Sequence, residues 1–267
     1  GYKALEDLTS GSWGVAVGFQ AGMNITTGSY NTLLGYNAGA TLNDDHNNTL
    51  IGFKSGESSV ASNTVAIGYE TIKGSVEIGA NGTVAIGYQA LTALTSGGLN
   101  TAVGYQSGMA LTTGEGNTLL GYQAGVKLNT QARNIMIGYQ TGLNLQGSAA
   151  DDNVFIGYAA GMNGEGDDTT SNTATDNVAI GSYSMGDNQG NSAPHFTAAS
   201  NVAVGYNSLK EISSGDDNVA LGKSALAATT SGGKNIAIGT EAGNLITTGN
   251  YNTLVGHGAG VNANSSS

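Results

Sequence analysis

The sequence predicts an all-β fold, a parallel β-solenoid (β-roll) of about fifteen 17-residue coils with two short strands each. Three observations predict it: a glycine-terminated motif recurs along all 267 residues, its core positions are β-branched or aliphatic, and glycine reaches 44 residues with one proline and no cysteine. A helical reading is opposed by the β-branched core positions and by the absence of a sustained 3.6-residue period.

The motif reads Asn, β-branched, small or aliphatic, aliphatic, Gly, aromatic. Its glycines are Gly1, Gly18, Gly35, Gly52, Gly68, Gly79, Gly87, Gly104, Gly121, Gly138, Gly157, Gly181, Gly205, Gly222, Gly239 and Gly256, and nine of the intervals equal the step from Gly87 to Gly104. Three residues before the glycine stand Val15, Thr32, Thr49, Val65 and their equivalents, all β-branched, and Val, Leu or Ile immediately precedes it. These two positions share one face of a strand, and the residue between them points to the other. That middle residue is apolar everywhere except at Glu77, so both faces are expected to be buried. Asn precedes the β-branched position in eleven of fifteen motifs, where stacked amides can bond the coils above and below.

Downstream of the glycine a weaker apolar position with a Thr or Ser pair, as in Leu111-Thr112-Thr113-Gly114, predicts a second short strand. The full motif Ser75-Val76-Glu77-Ile78-Gly79 falls where that strand is expected. A unit this small buries its apolar face only by stacking on the next. At roughly 4.8 Å per rung, about fifteen coils would extend for about 70 Å. Gly1-Tyr2 aligns with Gly87-Tyr88, so the chain starts within a repeat, and residues 1–267 are expected to be one solenoid domain cut from a longer protein. The outward apolar row predicts packing against identical chains, with a homotrimer expected.

Composition excludes several functions. A formal charge of −11 with only 8 Lys and Arg opposes nucleic-acid binding. No run approaches the ~18 apolar residues of a membrane span, so no membrane insertion is expected. Three His residues, no Cys and no hydrolase or zinc motif leave little for catalysis, and no enzyme is predicted. Paired carboxylates in the acidic loops would suffice for a glycan depolymerase, the minority reading. Threonines such as Thr26, Thr112 and Thr247 suggest an ice-binding face, but Asn43, Asn129 and Ser213 interrupt the row.

The units Asn177-Val178-Ala179-Ile180-Gly181, Asn201-Val202-Ala203-Val204-Gly205 and Asn235-Ile236-Ala237-Ile238-Gly239 resemble the head repeats of YadA-type trimeric autotransporter adhesins. The longer unit from Gly87-Tyr88-Gln89-Ala90-Leu91 to Thr95-Ser96-Gly97 is similar to repeats of bacteriophage tail fibres. The resemblance covers nearly the whole chain and implies a left-handed β-roll, trimeric assembly and attachment to a host surface. The adhesin repeat is shorter than the repeat of this chain, and the departure bears on turns and handedness. Of the two, the resemblance favours a tail fibre at the virion tail, an extracellular site, over a bacterial cell-surface adhesin. The implied partners are the chain itself and a host cell-surface glycan or protein.

Candidate contact residues lie where the period breaks, because insertions in a solenoid become loops and loops carry recognition. The two longest intervals, Gly157 to Gly181 and Gly181 to Gly205, place insertion loops at 158–176 and 182–200. From these, Asp167, Asp168, Tyr183, Asp187, His195 and Phe196 are the candidate receptor-binding residues, with His195 and Phe196 expected to be exposed beside the acidic groups. The row of aromatics after the glycine, eleven of sixteen motifs, is expected to stack as a structural ladder. The pairs Asp44-Asp45, Asp151-Asp152, Asp167-Asp168 and Asp216-Asp217 offer oxygen ligands suited to calcium. No loop shows the regular ligand spacing of a dedicated calcium site, so solvated turns and no cofactor are expected.

Overall fold

The computed structural model describes residues 1–58, 61–74, 80–147, 149–162, 172–186 and 196–260. They form two compact units, residues 1–130 and 131–267, each built from the same coil. In the first unit the strands are β1 (Val15–Val17), β2 (Thr32–Leu34), β3 (Thr49–Ile51), β4 (Val65–Ile67), β5 (Val84–Ile86), β6 (Thr101–Val103) and β7 (Thr118–Leu120). In the second they are β8 (Ile135–Ile137), β9 (Val154–Ile156), β10 (Val178–Ile180), β11 (Val202–Val204), β12 (Val219–Leu221), β13 (Ile236–Ile238) and β14 (Thr253–Val255). Within each unit every strand pairs in parallel with the next in sequence order, residue for residue, as in Val84↔Thr101, Ala85↔Ala102 and Ile86↔Val103. The predicted parallel β-solenoid is therefore the fold of each unit, and the described residues contain no helix.

Strand register follows from the motif. The middle residue of each strand points into the coil: Leu33, Leu50, Ala66, Leu119, Met136 and Phe155 are fully buried. The glycine that ends each strand is required by its neighbour. At Gly104, with φ 145°, an added Cβ would overlap the carbonyl oxygen of Gly121 in the coil beyond. At Gly205, φ 136°, it would lie 2.6 Å from the carbonyl oxygen of Gly222. Both the φ angle and the close approach of backbone exclude a side chain there.

The second strand expected in each coil is absent from the described residues, and the segment Ser75 to Gly79 lies outside them. What replaces it is a run in which φ alternates in sign. In the coil after Gly104, Gln106 (φ 52°) and Gly108 (φ 59°) are left-handed. Met109 N–H and Leu111 N–H close i−3 turns on the Gln106 and Gly108 carbonyls at 3.3 and 3.0 Å. Bonding between coils nevertheless continues around this arm: Gln106 N–H donates to Tyr88 O (2.8 Å), Gly108 N–H to Ala124 O (3.0 Å) and Thr112 N–H to Asn129 O (2.8 Å). The turns prevent an extended run while leaving the backbone paired above and below, which is the condition for burying it.

The core is filled from two directions. A large residue in the strand centre is always matched by glycine at the fourth place after the motif glycine: Leu33 with Gly39, Leu50 with Gly56, Leu119 with Gly125, Met136 with Gly142, Phe155 with Gly161. A large residue at the later position is always matched by Ala in the strand: Ala66 with Ile72, Ala85 with Leu91, Ala179 with Met185, Ala203 with Leu209, Ala220 with Leu226. The two positions compete for one space. A Cβ on Gly125 would stand 2.9 Å from Leu119 Cδ2, and one on Gly108 would stand 2.7 Å from Leu119 Cδ1 and 2.8 Å from Leu91 Cδ2. Ala102 with Gly108 and Ala237 with Gly243 are small at both places, and each lies between a coil of one type and a coil of the other. Close packing leaves room for one large side chain at this place in each layer, whichever leg supplies it, beside the apolar residue such as Leu111 or Leu128 further along the coil.

Candidate functional site

Each coil turns three side chains outward: a β-branched residue (Val, Ile or Thr) three before the motif glycine, a Val, Leu or Ile one before it, and the residue after it, which is aromatic in most coils. None of these outward strand residues is buried. Val15 is 57 % exposed and Val17 53 %, while Ile51, Ile67, Ile86 and Val103 are half-buried. The expectation that both strand faces are buried therefore holds only for the inner one. Stacking covers the inner face by the chain's own coils, and nothing among the described residues of either unit covers the outer one.

Beside these columns runs the aromatic ladder. In the first unit Tyr2, Phe19, Tyr36, Phe53, Tyr69, Tyr88, Tyr105 and Tyr122 stack without interruption, with centroids 5.0 to 5.4 Å apart and interplanar angles of 5 to 18°. Each inner ring has both faces taken by its neighbours, so a sugar ring has no free face to stack on along the row; edges and phenol hydroxyls face solvent. Next to it, Gln89 Nε2 donates to Glu70 Oε2, Gln106 Nε2 to Gln89 Oε1 and Gln123 Nε2 to Gln106 Oε1, at 3.0 to 3.2 Å. In the second unit Tyr139 and Tyr158 stack at 5.1 Å, and the column then changes to Ser182, Tyr206, Lys223, Thr240 and His257.

Tyr183, a candidate contact residue, belongs to this ladder. It stands edge-on between Tyr158 (5.3 Å, 69°) and Tyr206 (6.5 Å, 85°), filling the gap that Ser182 leaves. A hydrogen bond with Tyr158 raises its phenol above the ordinary tyrosine value, with desolvation adding to the effect. Phe196, expected to be exposed, is 1 % exposed, with its ring 6.5 Å from Phe155. Thr197 and Ala198 N–H both donate to Ser213 O, as Thr9 and Ser10 N–H do to Thr26 O, which places Phe196 at the core position that Ile25 fills in a regular coil. The chain thus re-enters its register at Phe196, and burial there follows from the register. Asp167, Asp168, Asp187 and His195 lie outside the described residues. The flanks of the predicted loops, residues 158–162, 172–176, 182–186 and 196–200, keep the pairing of regular coils.

In two of the described acidic pairs one carboxylate serves the backbone. Asp151 Oδ1 accepts from Ala132 N–H and Asp216 Oδ1 from Ala199 N–H, both at 2.8 Å. Both sit at the sixth place before the motif glycine, a column where Ser29, His46, Ser62 and Asn250 also accept from the coil before. Arg133 holds Asp152 in a bidentate pair, Nε to Oδ1 at 2.7 Å and Nη2 to Oδ2 at 2.8 Å, which keeps that carboxyl below its ordinary value. Desolvation pushes Asp45 up, against a hydrogen bond from Ser62 that lowers it. Among the described residues no cluster of three or more metal-ligating side chains is present, and no helix is long and apolar enough to cross a membrane.

At the adjoining corner the motif asparagines form the ladder foreseen from the sequence. In the second unit Asn134, Asn153, Asn177, Asn201, Asn218, Asn235 and Asn252 follow one another, and each later residue donates both its backbone N–H and its Nδ2 to the Oδ1 of the one before, at 2.9 to 3.1 Å. Comparison with protein-family models, with curated proteins and with solved structures yields no match, so the stacked parallel coil is the level at which the chain is classified.

Proposed function

We propose that the chain is a structural and receptor-binding segment of a bacteriophage tail fibre, serving host-surface attachment and assembled as a homotrimer. The observation that carries this reading is the outward face, in which the Val, Leu or Ile before the motif glycine forms an unbroken column in each unit beside a β-branched column, with the aromatic ladder joining them in the first unit. A soluble chain with a contiguous apolar face of this kind is expected to cover it, and a copy of itself presents columns of the same spacing and chemistry. The resemblance of the repeat to tail fibres supplies the remaining support. Repetition of the coil provides length, and the two longest departures from the period are the proposed places of contact with a host glycan or protein.

The unbroken asparagine row of the second unit, which includes the Asn-x-Ala-x-Gly units at Asn177, Asn201, Asn218 and Asn235, favours a second reading as a bacterial surface adhesin head. The two differ in what the chain is attached to and share the same self-association.

Sedimentation equilibrium at about micromolar concentration tests the assembly. A trimer is expected, and the double variant Ile86→Glu, Val103→Glu is expected to dissociate it while the coil stays folded. A native chain that sediments as a monomer overturns the reading. Attachment is tested by whole-cell and glycan-array binding of the intact chain, where retention on a host surface is expected.

A further inference from the structure

At the sixth place before the motif glycine, the side chains that accept a backbone N–H from the coil before are those of Ser29, Ser62, Asp151, Asp216, Asn250 and one histidine, His46. Ser29 N–H donates to His46 Nδ1 at 2.9 Å, and the His46 N–H donates in turn to Ser62 Oγ at 3.0 Å. Where Ser29 and Ser62 stand in the same column, a hydroxyl oxygen accepts at any ordinary pH. An imidazole nitrogen accepts only while it carries no proton. We propose that His46 is a proton-operated fastening between the turns of residues 28–31 and 45–48: it is closed when the ring is neutral, and opens when protonation turns Nδ1 into a donor facing a donor.

The surroundings give the protonated ring somewhere to go. His46 is exposed, so its ring is free to turn. The titratable groups on its own turn are Asp44 and Asp45. Asp45 is held by Ser62 Oγ at 3.2 Å and feels the His46 charge, which stabilises its carboxylate. From the facing turns come Ser29 and Tyr30 on one side, and Ser62 and Asn63 on the other; no lysine, arginine or glutamate lies in these turns. The ring therefore has a partner when neutral, the Ser29 amide, and an opposite charge nearby when protonated, the Asp45 carboxylate. Losing the first bond leaves the Ser29 N–H to water and frees this corner to open locally, while the paired strands β2 and β3 stay in register.

Amide exchange at Ser29, corrected for the intrinsic pH dependence of exchange, tests the proposal. Protection is expected to fall several-fold between about pH 8 and about pH 5 in the native chain. In His46→Ser, which restores the residue found at the neighbouring rungs, it is expected to stay level across the same range. A level profile in the native chain overturns the proposal, and so does a fall of equal size in His46→Ser, which would place the sensitivity on Asp44 and Asp45 instead.

Discussion

In residues 1–130 eight aromatic rings stack in one unbroken row from Tyr2 to Tyr122, while the asparagine row is interrupted by Thr64 and Thr83. In residues 131–260 the reverse holds: seven asparagines follow one another, and the aromatic column turns at Tyr183 and gives way to Lys223, Thr240 and His257. The interruptions leave marks. Thr64 Oγ1 donates to Ala61 O at 2.8 Å, the carbonyl at the place where other asparagines in the row bond the next coil, and Asn48 Nδ2 is left without a partner, as is Thr83 Oγ1. One coil can thus be fastened by an exterior stack of rings or by an interior row of amides, because both need only identical side chains at the inter-strand spacing. Neither row has to be complete when the other is.

The largest effect expected from altering either unit concerns the volume both must fill. Leu119→Ala should lower the unfolding free energy by about 2–5 kcal/mol in urea denaturation. Adding Gly125→Leu should recover about half of it, because the coil then becomes the Ala85–Leu91 type, in which Leu91 occupies the same left-handed conformation (φ 50°). If the second change adds to the damage, the shared-space account of the core is wrong.

The amide row comes next. Asn201→Ala in the second unit strips the Asn218 N–H and Nδ2 of their common acceptor and leaves the Gly215 carbonyl without its donor, all of them buried. A cost of about 3 kcal/mol is expected. Thr83→Ala in the first unit removes a hydroxyl that has no partner and should change stability by no more than about 0.5 kcal/mol. Equal costs in the two units would erase the contrast between them.

Smaller still, Tyr88→Ser parts the ladder between Tyr69 and Tyr105 and should cost about 1 kcal/mol. Lys223→Tyr should extend the second unit's column beyond Tyr206, seen as a slightly higher thermal midpoint. Least of all is the exposed Arg133–Asp152 pair. The folded-state value of Asp152 is depressed, so its contribution is present above the ordinary carboxylate range and is lost as pH falls through the depressed value. Asp152→Asn should cost less than about 0.5 kcal/mol at neutral pH and nothing in strong acid, with the difference shrinking in high salt.

Much of the fold was legible because it repeats. The period, the strand positions, their parallel pairing and the asparagine row all follow from residues recurring at one spacing. The burial of Phe196 was not legible from composition, since an aromatic beside the only proline of an irregular stretch reads as surface. A signal was present in Thr197-Ala198, which restores the hydroxyl-then-small pattern and hence the register. Tyr183 reads as a loop residue because it stands one place later than the other aromatics, in the column of Gln89, Gln106 and Gln123, and only the structure shows its ring between Tyr158 and Tyr206 where Ser182 supplies none.

By itself, then, the amino-acid order determined that successive turns lie parallel and in register, since small, β-branched and glycine positions recurring at one fixed step have no other way to satisfy burial and backbone bonding together. Tertiary structure decided what lies between the strands. Thr and Ser pairs after an apolar residue suit an extended strand as well as a chain of turns, and only contact with the coils above and below selects the turns. It also decided from which leg each layer of core is filled. The pairing of large with small residues six positions apart is written in the sequence, but it acquires meaning only when Leu119 and the missing side chain of Gly125 are seen to claim the same space.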